Sequence, residues 1–186
     1  MRRKRKNIRL RNFDYRCECS HYITICTKDR KCFLGNIKEG KLEHSPIGDI
    51  ANSFWMDIPH HFPYVMLDEY IIMPNHIHCI LKLDYSTSKT RDEQIGTCHG
   101  MSLLPNNTNI RQKQFNKFGH PVPGSVSVII NHFKSAVKRW CNKNGFEYFL
   151  WQPRFYDNIV NNKSDLIRIR EYIKSNPAKL AQLNKI

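Results

Sequence analysis

Two strand-like runs, residues 65–73 and 76–83, are separated only by Pro74-Asn75, and this arrangement constrains the fold more than any other stretch. Pro-Asn is a tight-turn dipeptide, so the runs pair as an antiparallel hairpin. Strand side chains alternate between faces, which points His76 and His78, at the start of the second run, the same way. Two neutral imidazoles projecting from a rigid sheet can form half of a divalent-metal site. They can equally be two hydrogen-bonded histidines on a half-buried strand, and the segment alone leaves both readings open.

The other elements follow from pattern. His21 to Thr27 is β-branched and aromatic and reads as a first strand, and Cys32 to Glu43, with Gly35 and Gly40, reads as a short hairpin. Ser45 is suited to an N-cap with Pro46 at the first helical position. Ile47, Ile50, Ala51, Phe54, Trp55 and Ile58 follow at helical spacing, with Pro59 as the expected stop. Ser125 to Asn144 is a second amphipathic helix, with Val126, Ile129, Ile130, Phe133, Val137, Trp140 and Cys141 inward and Lys134, Lys138 and Lys143 outward. Phe146 to Val160 reads as a strand. Ser164 is placed to cap a last helix, in which Leu166, Ile169 and Ile173 pack, Arg168, Tyr172 and Asn176 lie on an adjoining face, and Pro177 is the expected end. This order predicts an α+β fold: a ferredoxin-like split βαβ antiparallel sheet, helices on one face, and an added C-terminal helix.

A chain of 186 residues normally makes one domain, and no linker divides this one. The expected organisation is a basic flexible arm at 1–12 and a single domain at 13–186 that carries a long polar loop at 84–124. The formal charge of +14, from 30 Lys plus Arg against 16 Asp plus Glu, favours a polyanionic partner, above all nucleic acid. Arg2, Arg3, Lys4 and Arg5 in the arm and Lys134 and Lys138 on the second helix are candidate phosphate contacts, although such charges also occur as solvated surface. No apolar run approaches the ~20 residues of a spanning helix, and no signal-peptide core follows the basic start, so a cytoplasmic location without membrane contact is expected. Seven cysteines without a Cys-x-x-Cys pair argue for reduced thiols rather than a disulfide framework or structural zinc.

Pro74-Asn75-His76-Ile77-His78 after a strand, the basic helix near Lys134, Trp151-Gln152 followed by Phe155-Tyr156-Asp157, and Glu171-Tyr172-Ile173-Lys174-Ser175-Asn176-Pro177 form an ordered combination. It resembles the single-tyrosine HUH transposases, and among them the REP-associated tyrosine transposases. The resemblance implies a nucleophile, Tyr172, carried by the C-terminal helix, and a metal site of His76, His78 and Asn176 holding Mg²⁺ or Mn²⁺. It further implies cleavage and rejoining of single-stranded DNA at hairpin or palindromic repeat ends through a 5′-phosphotyrosine. A monomer or homodimer is implied, located in the cytoplasm and, in a bacterium, with the nucleoid. The spacing is physically sensible, since residues at i and i+4 share a helix face. Tyr156, followed by Asp157 as a possible base, is the rival nucleophile. The alternatives to a transposase are a replication or conjugation nickase with the same site, and a non-catalytic basic DNA- or RNA-binding module in which the histidines are structural.

Overall fold

The computed structural model describes residues 19–38, 41–85, 123–160 and 162–183. The basic arm with Arg2, Arg3, Lys4 and Arg5, and nearly all of the polar segment at 84–124, lie outside the described residues. In chain order the elements are β1 (Ser20–Cys26), β2 (Gly35–Lys38), β3 (Lys41–His44), α1 (Pro46–Met56), α2 (Ile58–His61), β4 (Val65–Met73), β5 (His76–Leu83), α3 (Val126–Lys143), β6 (Tyr156–Val160) and α4 (Lys163–Leu183). The hairpin read from Pro74-Asn75 is present as β4 and β5, with Met73 paired to His76.

One sheet of four strands has the order β4-β5-β1-β6, with every neighbouring pair antiparallel. β1 and β4 therefore run parallel on either side of β5, which is the split βαβ arrangement. β2 and β3 make a separate two-stranded sheet. Alternation sends Ile23 and Ile25 of β1 and Ile77, Cys79, Leu81 and Leu83 of β5 to one face, where α1 and α3 cover them with Ala51, Trp55, Ile129, Ile130, Phe133 and Val137. Trp55 and Phe133 meet edge to face at 5.4 Å, joining the two helices at the centre of the core. Removing an aromatic this deeply buried costs roughly 3–5 kcal/mol. α4 lies on the opposite face.

Local chemistry explains the start of α1. Ser45 accepts a hydrogen bond from the Gly48 amide at 3.2 Å, and its hydroxyl donates to the Phe33 carbonyl at 2.6 Å. A Cβ on Gly48 would collide with the carbonyl oxygen of Leu34, so this close approach requires glycine. Pro59 does not stop α1, which ends at Met56. It sits instead in the first turn of α2, where its missing amide hydrogen is not needed.

Three further expectations are corrected. The strand expected over 146–160 is confined to Tyr156–Val160, because Pro153 and the left-handed Arg154 (φ 67°) interrupt it, and Trp151 only bridges Thr27. Asn162 rather than Ser164 caps α4: its side-chain oxygen accepts from the Asp165 amide at 2.7 Å and from the Ser164 hydroxyl at 2.8 Å. Pro177 does not end that helix, which continues to Leu183. Proline keeps a helical φ, and the helix passes through it at the loss of one backbone bond.

Lys134 and Lys138 are also used differently from expectation. Lys134 Nζ donates to the carbonyls of Gln152 and Arg154 at 2.7 and 2.9 Å, and Lys138 Nζ to those of Glu147 and Phe149 at 2.8 and 2.7 Å. They satisfy carbonyls that no sheet partner reaches and so pin the irregular segment before β6. Burial lowers Lys134 to about 8. Cys26, Cys32, Cys79 and Cys141 are free thiols. Among the described residues, no helix is long and apolar enough to cross a membrane.

Candidate metal and nucleophile site

The sheet face away from α1 and α3 carries a row of paired positions, Tyr156 on β6, Thr24 on β1, His78 on β5 and Ile71 on β4. The adjacent row holds Cys26, His76 and Met73. Strand alternation alone thus puts both imidazoles on this face, with ring centroids 4.5 Å apart and planes at 76°. They are 7% and 8% exposed.

Each ring is held by its Nδ1 atom. His76 Nδ1 donates to the Asn75 side-chain oxygen at 2.6 Å, a partner supplied by the turn itself. Such a bond leaves Nε2 without hydrogen and able to ligate. His78 Nδ1 lies 2.8 Å from the Tyr22 hydroxyl and 2.9 Å from that of Thr24, and the Tyr22 ring stacks on it at 5.5 Å. Burial and the Arg30 guanidinium lower His76 to about 4; burial, His76 and Arg30 lower His78 to about 3. Both rings are consequently neutral at pH 7, the form a metal needs.

α4 brings the remaining groups. A bulge in β4 between Leu67 and Tyr70 turns Asp68 and Glu69 out of the ladder. Arg170 grips Asp68 with Nε–Oδ1 at 2.9 Å and Nη2–Oδ2 at 2.6 Å, and Lys174 reaches Glu69 at 3.2 Å one turn later. Ile173, with no exposed surface, packs beneath the helix. These anchors set the Tyr172 ring against His78, with centroids 5.5 Å apart at 69°. Tyr172 remains 41% exposed, so its edge reaches solvent. One turn on, Asn176 is 8% exposed and its amide nitrogen, in full burial, has no hydrogen-bond partner.

That orphaned amide bears on whether a cation fits. Among the described residues no group of three His, Cys, Asp or Glu side chains is positioned for a metal. The two histidines therefore need a donor of another type, and the orphaned N–H of Asn176, on the same helix as Tyr172, cannot ligate, so the amide oxygen of that buried side chain would have to serve. Two imidazole nitrogens and one amide oxygen would give a divalent cation three ligands, with phosphate oxygens to complete the shell. The residues fit the group.

The other tyrosines are placed less favourably. Tyr70 points into the core and donates to Asn52 of α1 at 2.8 Å, and Tyr64 stacks on Tyr85 at 4.9 Å. Tyr156 is on the same sheet face as the histidines but on the edge strand, two strands from His78, or roughly 10 Å at the usual strand spacing. Sequence reasoning missed Tyr22, Thr24, Asn75 and Arg30. The first two were legible as polar residues alternating with Ile23 and Ile25 on β1. Arg30 follows a left-handed Asp29 and is itself left-handed, at φ 54° and 55°, a local contortion that no spacing rule reveals.

No protein-family model matches the chain. An uncharacterized protein of Haemophilus influenzae is 32% identical over 174 residues, covering 93% of this chain and 88% of that protein. Among solved structures, a REP-associated tyrosine transposase bound to a REP hairpin superposes with a TM-score of 0.53 at 16% identity, covering 87% of this chain and 68% of the other. A transposase candidate from Deinococcus radiodurans gives a TM-score of 0.43 at 13% identity, covering 90% and 95%, too low to bear on the fold. The chain belongs to one family with the Haemophilus influenzae protein and has the fold of the REP-associated tyrosine transposase.

Proposed function

We propose that this protein is a transposase that cleaves and rejoins single-stranded DNA at hairpin or palindromic repeat ends, with Tyr172 as nucleophile. The observation that carries the reading is the Tyr172 ring against His78, beside His76, with Asn176 buried one turn further along the same helix. A helix and a sheet face otherwise joined by apolar packing and surface ion pairs have no structural need for this polar set.

His76, His78 and Asn176 would hold a divalent cation, which would supply electrostatic stabilisation of the charge that accumulates on the scissile phosphate. Tyr172 Oη attacks phosphorus in line as its proton leaves, the bond to the 3′ oxygen breaks, and that oxygen departs with a proton as a 3′-hydroxyl. The product is a 5′-phosphotyrosine. Because the new ester keeps the energy of the phosphodiester, a second 3′-hydroxyl can attack it, release Tyr172 and join the strands without ATP. α4 docks on the sheet of its own chain through Arg170 with Asp68 and Lys174 with Glu69.

Incubation of the protein with a labelled single-stranded hairpin and Mg²⁺ or Mn²⁺ tests the reading. Cleavage is expected to stop in excess chelator and in His76→Ala and His78→Ala, with the fold and most DNA binding intact. Asn176→Ala is expected to be milder, since water can replace an amide oxygen. Full wild-type cleavage in chelator would overturn the metal role, and DNA binding without cleavage under every metal would favour a non-catalytic binding module.

A further inference from the structure

Nδ1 of His78 faces two hydroxyls that come from β1, Tyr22 Oη at 2.8 Å and Thr24 Oγ1 at 2.9 Å. Thr24 is the residue paired with His78 across the ladder, and Tyr22 lies two positions along on the same face. A neutral imidazole carries one hydrogen. If Nδ1 bears it, two oxygens that each have lone pairs to spare share that hydrogen in a three-centre bond, and Nε2 is bare. If Nε2 bears it, only one hydroxyl can donate to the single Nδ1 lone pair, and the other must turn to its neighbouring hydroxyl and give up its bond to His78. The stacked Tyr22 ring, inclined at only 25° to His78, also fixes the plane in which Nε2 points. His76 is held separately, by Asn75 of the turn.

We propose that Tyr22 and Thr24 are positioning residues that hold His78 in the tautomer and orientation that present Nε2 to a divalent cation. The proposal deepens the metal reading above and rests on it. The lock on His78 comes from β1 and that on His76 from the turn, so the two are separable by substitution. Tyr22→Phe keeps the stacked ring and Thr24→Val keeps the shape, and each removes only an oxygen.

The test uses the metal-free full chain with ¹⁵N-labelled histidine and long-range ¹H–¹⁵N correlation spectra, followed by Mn²⁺ titration monitored by the EPR signal of the free ion. Wild-type His78 is expected as the Nδ1–H tautomer. Tyr22→Phe/Thr24→Val is expected to populate the Nε2–H tautomer and to weaken Mn²⁺ binding by about 10-fold or more, the usual consequence of losing an outer partner of a ligand. Thr24→Ser, which keeps the hydroxyl, is expected to behave as wild type, and Thr24→Val alone gives a smaller effect if the double variant folds poorly. Asn75→Ala is expected to disturb His76 and leave His78 unchanged. A wild-type Nε2–H tautomer, or an unaltered tautomer and Mn²⁺ affinity in the folded double variant, would overturn the proposal. Wild-type protein with the locked tautomer but no Mn²⁺ binding would sustain the lock and overturn the metal reading instead.

Discussion

The ring of Tyr172 meets the ring of His78 edge on, with centroids 5.5 Å apart, and this contact joins the last helix to the sheet's second hairpin strand. It depends on α4 being fastened elsewhere, since Tyr172 itself is 41% exposed and carries little of the docking energy. The fastening is Asp68 and Glu69, on the bulge of β4, gripping Arg170 and Lys174. Burial acts most strongly on Asp68 and raises it, but the Arg170 bonds, the Glu69 amide and the charges of Arg170 and Lys174 together outweigh it and leave the carboxyl below its ordinary range.

Asp68→Asn is therefore expected to affect chemistry more than stability. The pair is partly exposed, so its loss costs about 0.5–1 kcal/mol, or a few degrees in melting temperature. The rate at which Tyr172 reacts with a hairpin substrate should fall several-fold, because the helix samples positions away from His78. Calorimetry together with single-turnover kinetics checks this. An unchanged rate would mean that the Asp68–Arg170 pair does not set the tyrosine.

The hairpin, the histidine pair and the helical pairing of Tyr172 with Asn176 were legible because each is a local pattern of period two or four. What holds these residues was less so. Tyr22 and His78 meet only because β1 inserts beside β5, and Asp68 reaches Arg170 only because a bulge adds one residue to β4. Lys134 reads as an outward charge on any helical projection. Its inward turn is set by bare carbonyls at Gln152 and Arg154, which exist because Pro153 and a left-handed Arg154 break the expected strand. The extension of α4 past Pro177 likewise defeats a rule that treats proline as a stop.

Acid should destabilise the fold through its buried histidines. Burial lowers His21 to about 4, and burial with neighbouring charge lowers His76 to about 4 and His78 to about 3, all from 6.5. The folded state resists protonation that the unfolded chain accepts, so their contribution is complete above about pH 6.5 and is lost as pH falls toward 4. At pH 5 the expected loss is on the order of 1–2 kcal/mol per histidine. Urea unfolding at pH 7.5 and pH 5 measures it, and an equal or higher midpoint at pH 5 would contradict the assignment.

DNA affinity should depend strongly on salt, since a chain of charge +14 displaces condensed cations when it binds phosphates. With roughly 4–6 phosphate contacts, the log-log slope on a single strand is expected near −3 to −4. Removal of residues 1–6 should make the slope shallower while leaving cleavage of a saturating substrate largely intact. Fluorescence anisotropy across a salt series reports both, and a flat response would refute the electrostatic reading.

The central claim is that Tyr172 is the nucleophile, and peptide mapping of a trapped protein–DNA adduct tests it most directly. With a single-stranded hairpin and Mn²⁺, the nucleotide is expected on the peptide containing Tyr172 to Asn176, linked through the Tyr172 oxygen. Tyr172→Phe should give no adduct and Tyr156→Phe should retain it, since each keeps its ring and opens no large cavity. An adduct mapped to Tyr156, or one that persists in Tyr172→Phe, would contradict the account.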